Sequence, residues 1–244
     1  MSTYVYGIAR GDHPGPPEGV NGVGDPPAPV RTLRAGELAA VVSDCPGQLR
    51  PKRRDLLAHQ HVLAEAGAAG SVLPLRFGSV SEDDDVVRGV LEDHGEHYRG
   101  QLDRLDGRVE YNVKAVHREE EVLRQVVADD AEVRALQAAN KASGGGSYQD
   151  RLRLGELVAN GVRAREVHDA KAVEAALAPL SEQQNPGPES AGWLVNLSFL
   201  MRRDATAPFV NAIEEFQQAN PHLEVQVTGP LPPYSFVEPA PAHA

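Results

Sequence analysis

The sequence predicts an α+β protein with two domains and an extended C-terminal strap. Short stretches of alternating apolar and polar residues, typical of strands with one buried face, are interspersed with longer stretches of helical periodicity. This pattern runs to Gly107 and begins again at Arg108, and the 244 residues have room for two ordinary domains. We therefore predict one α+β domain over residues 1–107, a second over 108–228, and the strap over 229–244.

The first domain is predicted to contain strands and helices in mixed order. β-branched and aromatic residues mark the strands, and a loop crowded with Gly and Pro follows the first of them. Pro74 lies inside an apolar run and removes one hydrogen-bond donor, so this run is an edge strand at best. The predicted strands are 3–9, 30–33, 38–43 and 72–80. The predicted helices are 52–69 and a second one that begins with a cap and acidic first turn in 81–85 and keeps helical spacing as far as Gly107.

The first of these helices has two candidate buried faces, because its apolar residues follow two adjacent stripes. One face carries Leu56, Leu63 and Gly67, and the other carries Leu57, His61 and Ala64.

The second domain is predicted to be a small sheet with long helices on one face, of the ferredoxin-like kind. Its order of strand, helices, strand, helix and strand gives this arrangement when connections are short and crossovers are right-handed. In its first strand, apolar residues from Val109 to Ala115 alternate with a polar set that includes Glu110, which we place on the solvent side. The predicted strands are 108–115, 193–201 and 223–227, the helices are 118–140, 148–180 and 206–219, and 185–188 is a turn or loop.

The strap begins where the last strand meets Gly229 and Pro230, so we expect that strand to stop near Thr228. Prolines keep the following chain extended, and in an extended chain Tyr234 and Phe236 project to the same side. Two aromatics in a chain with 5% aromatic residues favour a strap that docks on the protein, and a disordered Pro-rich terminus is the alternative. We predict that the strap lies across the first domain near 76–78 and fastens the two domains together.

Charge and cysteine content exclude several classes of function. The net charge of -11 argues against nucleic acid and against an anionic membrane as the main partner. Cys45 is the single cysteine, so an internal disulfide is impossible and a reducing cytoplasm is the expected location. We expect no signal peptide, because the N-terminus lacks a basic region followed by an apolar run. We also expect no membrane span, because no apolar run approaches about 18 residues.

The sequence shows no catalytic, cofactor or metal site. The pairs His61 with Glu65 and His94 with His97 have helical spacing that suits two metal ligands, but such fragments are common by chance. We therefore interpret the histidines as surface or boundary residues. Cys45 lacks an identifiable base and is interpreted as an idle thiol, with a nucleophile as the alternative. The glycines at 144–146 lack the following residues of a phosphate-binding loop and predict a hinge.

Arg76 is unusual because it lies in an apolar run, and a buried guanidinium must be paired. One interpretation is that its donors anchor the strap or a partner. The other is that Arg76 points to solvent at a strand edge.

Several motifs together resemble those of the gas vesicle protein F/L family. They are YVYGI at 4–8, His59 and His61-Val62, VLPLRFGSV at 72–80, EYNVK at 110–114, LVNLSFL at 194–200 and TGPLPPYSF at 228–236. The resemblance covers nearly the whole chain, and the last motif is the most specific. One departure is Leu231, which stands where the family usually has Trp.

The resemblance implies two α+β domains, the first a modified ferredoxin-like unit. It also implies a non-enzymatic accessory protein for gas vesicle assembly, without a cofactor, that is cytoplasmic and associated with the vesicle. The implied partners are the small hydrophobic major shell protein and other accessory proteins. The candidate structural or partner-contact residues are Arg76, Phe77, Gly78, Pro232, Pro233, Tyr234 and Phe236.

Two other hypotheses stay open at this point. One is a small-molecule-sensing regulatory module built from ferredoxin-like halves. The other is an enzyme that uses Cys45, His61 or His94 in its active site.

Overall fold

The computed structural model describes residues 1–47, 49–188 and 192–241, in which helices and two antiparallel sheets are mixed. The α+β class is therefore confirmed, whereas the ferredoxin-like assignment of each domain stays a prediction. The strands are β1 (Thr3–Arg10), β2 (Arg31–Ala35), β3 (Leu38–Asp44), β4 (Val72–Pro74), β5 (Val80–Ser81), β6 (Arg108–His117), β7 (Gln183–Pro186), β8 (Val195–Arg202) and β9 (Leu223–Leu231). The helices are α1 (Arg53–Ala69), α2 (Asp84–Asp93), α3 (Gly95–Leu105), α4 (Glu119–Asp129), α5 (Ala131–Ala142), α6 (Tyr148–Leu177) and α7 (Thr206–Ala219).

β1 is the central strand of the first sheet. The strand order is β2-β3-β1-β4, and β5 also pairs with β1. Every residue of β1 except Arg10 is buried. A side chain at Gly7 would collide with Cγ1 of Val72 at 2.6 Å and with the carbonyl oxygen of Leu73 at 2.7 Å. Only glycine at this position lets β4 approach β1 so closely.

A turn interrupts the apolar run that was predicted as one strand over 72–80. The run forms β4 and β5 instead, and the intervening backbone stays attached to β1. Leu75 N–H donates to the carbonyl of Tyr6 at 2.8 Å, and Val5 N–H donates to the carbonyl of Ser79 at 2.9 Å. The turn between them includes Gly78, whose φ of 93° favours glycine.

The buried face of α1 differs from both predicted faces. Leu56 and Leu57 are 38% and 54% exposed, whereas Asp55 and His59 are buried. The Asp55 carboxylate accepts a hydrogen bond from Gly24 N–H at 3.0 Å, which stabilises its burial. The buried face therefore keeps Leu63 from one of the two apolar faces and adds polar residues that hydrophobicity alone does not indicate. The buried residues of α1 are Asp55, His59, Val62, Leu63 and Ala66.

The second sheet has the order β7-β8-β6-β9. The loop predicted at 185–188 was wrong in its first part, because β7 pairs antiparallel with β8. β7 has no apolar alternation that could have marked it as a strand. The helical stretch over 118–140 is divided at Asp130, whose carboxylate caps α5. Ser147 and Asp150 form a capping box that begins α6 after the glycine hinge.

The last strand also extends beyond its predicted end. β9 continues through Gly229 and Pro230 to Leu231 instead of stopping near Thr228. Pro230 costs the pairing of β9 with β6 one ladder donor, but this pairing continues past it. Within the described ranges, none of the helices has the length and apolar character needed to cross a membrane.

The described chain forms two compact units. The first contains Met1–Glu110 and the chain from Pro230 onward, and the second contains Tyr111–Gly229. The core of the first unit includes the fully buried rings of Tyr4 and Tyr6. In the second unit, the ring of Phe209 lies 5.2 Å from that of Phe199 and 5.6 Å from that of Tyr111.

Candidate functional site

The strap, described as far as Pro241, packs within the first unit. It forms a 3-10 turn over Tyr234–Phe236, so the fully extended strap predicted from the prolines is not what the structure shows. The turn forms because Phe236 N–H donates to the carbonyl of Pro233 at 3.1 Å. Phe236 is 6% exposed, and the half-buried Tyr234 packs against the core cluster.

His59 lies directly against the strap. The Tyr234 ring stacks on the imidazole with 6.4 Å between ring centroids and 29° between planes. His59 Nε2 lies 3.1 Å from the carbonyl oxygen of Leu75, which can only accept, so Nε2 carries the proton. His59 Nδ1 then accepts from the Tyr4 hydroxyl at 2.8 Å. Burial lowers the pKa of His59 and therefore favours the neutral ring.

A chain of hydrogen bonds connects this histidine to the turn at 76–78. Gly78 N–H donates to the Tyr4 hydroxyl at 3.2 Å, and that hydroxyl donates to His59. The Phe77 ring packs 6.0 Å from Tyr4 and 5.8 Å from His59. Burial raises the pKa of Tyr4 above its ordinary value, and burial raises the pKa of Tyr234 to about 12. Both hydroxyls therefore stay protonated at neutral pH.

Glu110 binds the turn of the strap with both carboxylate oxygens. Its Oε2 accepts from Ser235 N–H at 2.8 Å, and its Oε1 accepts from Ser235 Oγ at 2.7 Å. Glu110 is 3% exposed. A buried carboxylate is tolerated only with such partners, so these two bonds fix the position of the turn.

Polar groups of α3 hold the next residues of the strap. The Arg104 guanidinium donates to the carbonyl of Phe236 at 2.6 Å and lies 3.2 Å from the Glu238 carboxylate. His97 Nε2 lies 3.2 Å from the carbonyl of Glu238. The strap is thus attached at successive points from Tyr234 to Glu238.

The predicted contact residues fall into two groups in the structure. Pro233 and Phe236 are buried, and Pro232, Tyr234 and Phe77 are half-buried in the first unit. Arg76 and Gly78 are exposed. The Arg76 carbonyl accepts from the Ser79 hydroxyl at 2.8 Å, whereas its guanidinium has no hydrogen-bond or ion-pair partner among the described residues. Arg104 and Glu110, rather than Arg76, therefore hold the strap.

The sequence model of the family described as gas vesicle synthesis protein GvpL/GvpF matches residues 2–238 of this chain. The chain belongs to the GvpL/GvpF family.

Individual relatives agree with this assignment. The chain is 60% identical to gas vesicle protein F of Streptomyces sp. (strain CB03234) over 98% of this chain and 100% of that protein. It is 32% identical to gas vesicle protein L of the same organism over 96% of this chain and 91% of that protein. The crystal structure of GvpF from Anabaena sp. PCC7120 has the same fold, with a TM-score of 0.75, 22% identity and coverage of 100% and 98%.

Two residues that attach the strap in this GvpL/GvpF member were missed from the sequence. His59 was interpreted as a surface or boundary residue, but it is 3% exposed. Glu110 was placed on the solvent side of β6, but it is buried because Ser235 covers it. Ser235 lies 125 residues away in the sequence, so no local pattern could have indicated this contact.

The residues considered for catalysis have separate environments. Cys45 is half-buried, and burial raises the pKa of its thiol, which reduces its reactivity. His61 is exposed on α1, with its Nδ1 3.8 Å from the Glu65 carboxylate. The His94 ring contacts the edge of Tyr98 in the neighbourhood of α3. No contact joins Cys45, His61 and His94 in the described part of the chain.

Proposed function

We propose that this chain is a non-enzymatic accessory protein that binds the small hydrophobic shell protein, and other accessory proteins, while gas vesicles nucleate or grow. The observation that carries the proposal is the 60% identity to a gas vesicle protein F, which extends over the full length of that relative. A shell protein that assembles through apolar β-surfaces is prone to aggregation before assembly. An acidic accessory protein that covers such a surface would keep it available for growth.

The outer edge of β9 is the surface that we assign to the shell protein. β6 pairs with one side of β9, and the Gln217 side chain bonds the other side. Gln217 Nε2 donates to the carbonyl of Leu223 at 2.8 Å, and its Oε1 accepts from Val225 N–H at 2.9 Å. The amide of Gln217 thus takes the place of a neighbouring strand at the beginning of β9.

Gln217 occupies the outer side of β9 only at the beginning of the strand. Beyond Val225, this side is available to another strand. Backbone groups of alternate residues point to the same side, so Val227 and Gly229 repeat the direction of Val225. Val227 is 40% exposed. An apolar strand of the shell protein could pair there through its backbone, which is the usual mode of strand addition at a sheet edge.

Capture of the shell protein by a folded, immobilised chain tests this proposal. We expect wild-type protein to retain the shell protein and Val227→Lys to retain much less, because a lysine on an edge strand opposes pairing. Val167→Lys is the matched control, since Val167 is 58% exposed and lies on the helix α6 rather than on a strand. Absence of retention by the wild type, together with normal vesicles in a deletion strain, would refute the function. Equal retention by both variants would refute only the assignment to β9.

The exposed turn at 76–78 is the second surface that we propose for partner contact. Arg76 is available there, while Phe77 and the chain of hydrogen bonds from Gly78 fix the backbone that presents it. In this proposal, the strap residues Pro232, Pro233, Tyr234 and Phe236 have a structural role, because they cover the groups that support the turn.

A further inference from the structure

Two histidines and an aspartate of the second unit converge in its interior. His117 is the last residue of β6, Asp169 lies in α6, and His222 lies just before β9. Nε2 of His117 is 2.8 Å from Asp169 Oδ2, and Nε2 of His222 is 3.1 Å from the same oxygen. The side chains are 9%, 5% and 6% exposed, respectively. Three separate elements thus place three ligand-type atoms at one buried point.

The spacing of these atoms is close to that of a metal site. The three donor atoms all lie within 4.8 Å of one another. In a tetrahedral zinc site with bonds of about 2.0–2.2 Å, ligand atoms lie roughly 3.4 Å apart. The histidine nitrogens would therefore have to move away from the Asp169 oxygen by only a few tenths of an ångström to admit an ion.

We propose that His117, Asp169 and His222 bind a divalent transition-metal ion through two imidazole Nε2 atoms and one carboxylate oxygen. This set of two nitrogens and one oxygen suits Zn²⁺ and its neighbours better than Mg²⁺ or Ca²⁺, which prefer oxygen ligands. The fourth position would hold water or another small ligand.

The surroundings of the site limit its affinity. Arg165 Nε lies 3.7 Å from Asp169 Oδ2, is buried and has no hydrogen-bond partner among the described atoms, so its positive charge opposes a cation. His222 Nδ1 is likewise buried and lacks a partner in the described part of the chain. Loss of such an outer partner typically weakens metal binding by about 10–100-fold. We therefore expect weaker binding than in a fully supported zinc site.

The alternative is a hydrogen-bonded His-Asp-His cluster in which Asp169 accepts from both imidazoles. This cluster needs no ion, and Arg165 already balances the carboxylate charge. A metal site would bind Zn²⁺ more tightly when the charge of Arg165 is removed, whereas the hydrogen-bonded cluster would not bind it. Both properties can be tested on the full chain.

Titration of chelator-treated, full-length protein with Zn²⁺ distinguishes the metal site from the hydrogen-bonded cluster. Binding is followed by calorimetry and by thermal unfolding. We expect stoichiometric binding, a Tm that rises with Zn²⁺ concentration, and a tetrahedral Co²⁺ spectrum when Co²⁺ replaces Zn²⁺. His222→Gln removes a direct ligand and should weaken binding by more than about 100-fold, the upper end of what loss of an outer partner costs. His61→Gln, at an exposed position of α1, should leave binding unchanged. Wild-type protein without stoichiometric binding would overturn the proposal, as would unchanged binding by His222→Gln.

Arg165→Gln keeps the test decisive if His222→Gln fails to fold. This variant retains all three ligands and removes the opposing charge, so we expect it to bind Zn²⁺ several-fold more tightly than wild type. Equal or weaker binding by a folded Arg165→Gln protein would contradict the proposed site.

Discussion

Buried polar side chains position the strap and the turn at 76–78. The partners of these side chains lie elsewhere in the sequence. His59 uses both ring nitrogens, one for Leu75 and one for Tyr4. Glu110 uses both oxygens for Ser235. Since an unpaired buried polar group costs about 1–3 kcal/mol, these bonds stabilise one position of the strap and of the adjacent turn.

The environment of His59 gives stability a predictable dependence on pH. Burial lowers the pKa of His59 in the folded state, while in the unfolded state it has its ordinary value of about 6.5. Between the two values the unfolded chain binds more protons, so the free energy of unfolding falls as pH decreases below about 6.5. One such group changes the free energy of unfolding by at most about 1.4 kcal/mol per pH unit. Tyr4 and Tyr234, which face His59, stay uncharged throughout this range.

Urea unfolding between pH 7 and pH 5 measures this slope. His59→Gln should show a smaller loss of stability on acidification than wild type, although it is less stable at pH 7. His61→Gln should keep the wild-type slope, because His61 is exposed on the same helix. A His59→Gln slope equal to that of the wild type would show that His59 does not contribute.

Sequence reasoning identified the apolar part of this site and missed its polar part. Tyr234 and Phe236 stood out because aromatics are rare in this chain and lie here within a Pro-rich segment. The burial of His59 and Glu110 depends on acceptors and donors supplied by other parts of the chain. Such burial has no local signature, since the same residues on an exposed helix or strand would look identical in sequence.

At the scale of elements, helical periodicity predicted α7 and β-forming composition predicted the almost completely buried β1, whereas neither signal marks β7. α7 and β1 agree closely with their predicted limits. β7 has four polar residues with no alternation, and it is a strand only because β8 supplies its partner. β9 continues through Pro230 because its pairing with β6 holds the strand, although this residue has no donor for the ladder. Contacts with neighbouring strands therefore determine that β7 forms and where β9 ends.

Attachment of the strap as an element depends on Glu110. Glu110→Ala removes the two hydrogen bonds from the Ser235 N–H and hydroxyl under the packed turn, and we expect a loss of about 2–4 kcal/mol in the free energy of unfolding. Glu156→Ala, at an exposed position of α6, is the control and should change stability by less than about 0.5 kcal/mol. Denaturant unfolding gives both values, and hydrogen exchange at 234–238 reports the release of the strap. A Glu110→Ala protein with control-like stability would contradict this role.

At the scale of the whole molecule, the chain combines two units that each have their own core with a net charge of -11. The function proposed above for this member of the GvpL/GvpF family requires action through surfaces. The strap and the turn at 76–78 are tied together by ring packing and hydrogen bonds, and the edge of β9 offers backbone groups for pairing. Binding at the turn or at the edge of β9 would not need a nucleophile.

Complementation of a deletion strain separates action through surfaces from catalysis. Cys45→Ala, His61→Ala and His94→Ala, combined in one protein, should restore gas vesicles, because Cys45 has a raised pKa and the three side chains have separate environments. A protein with Tyr234→Ala and Phe236→Ala should fail to restore them, since it loses the rings that cover His59 and the core of the first unit. Thermal unfolding of both proteins must show that the triple variant is folded. Loss of vesicles with a folded triple variant would instead support a catalytic role for at least one of its three residues.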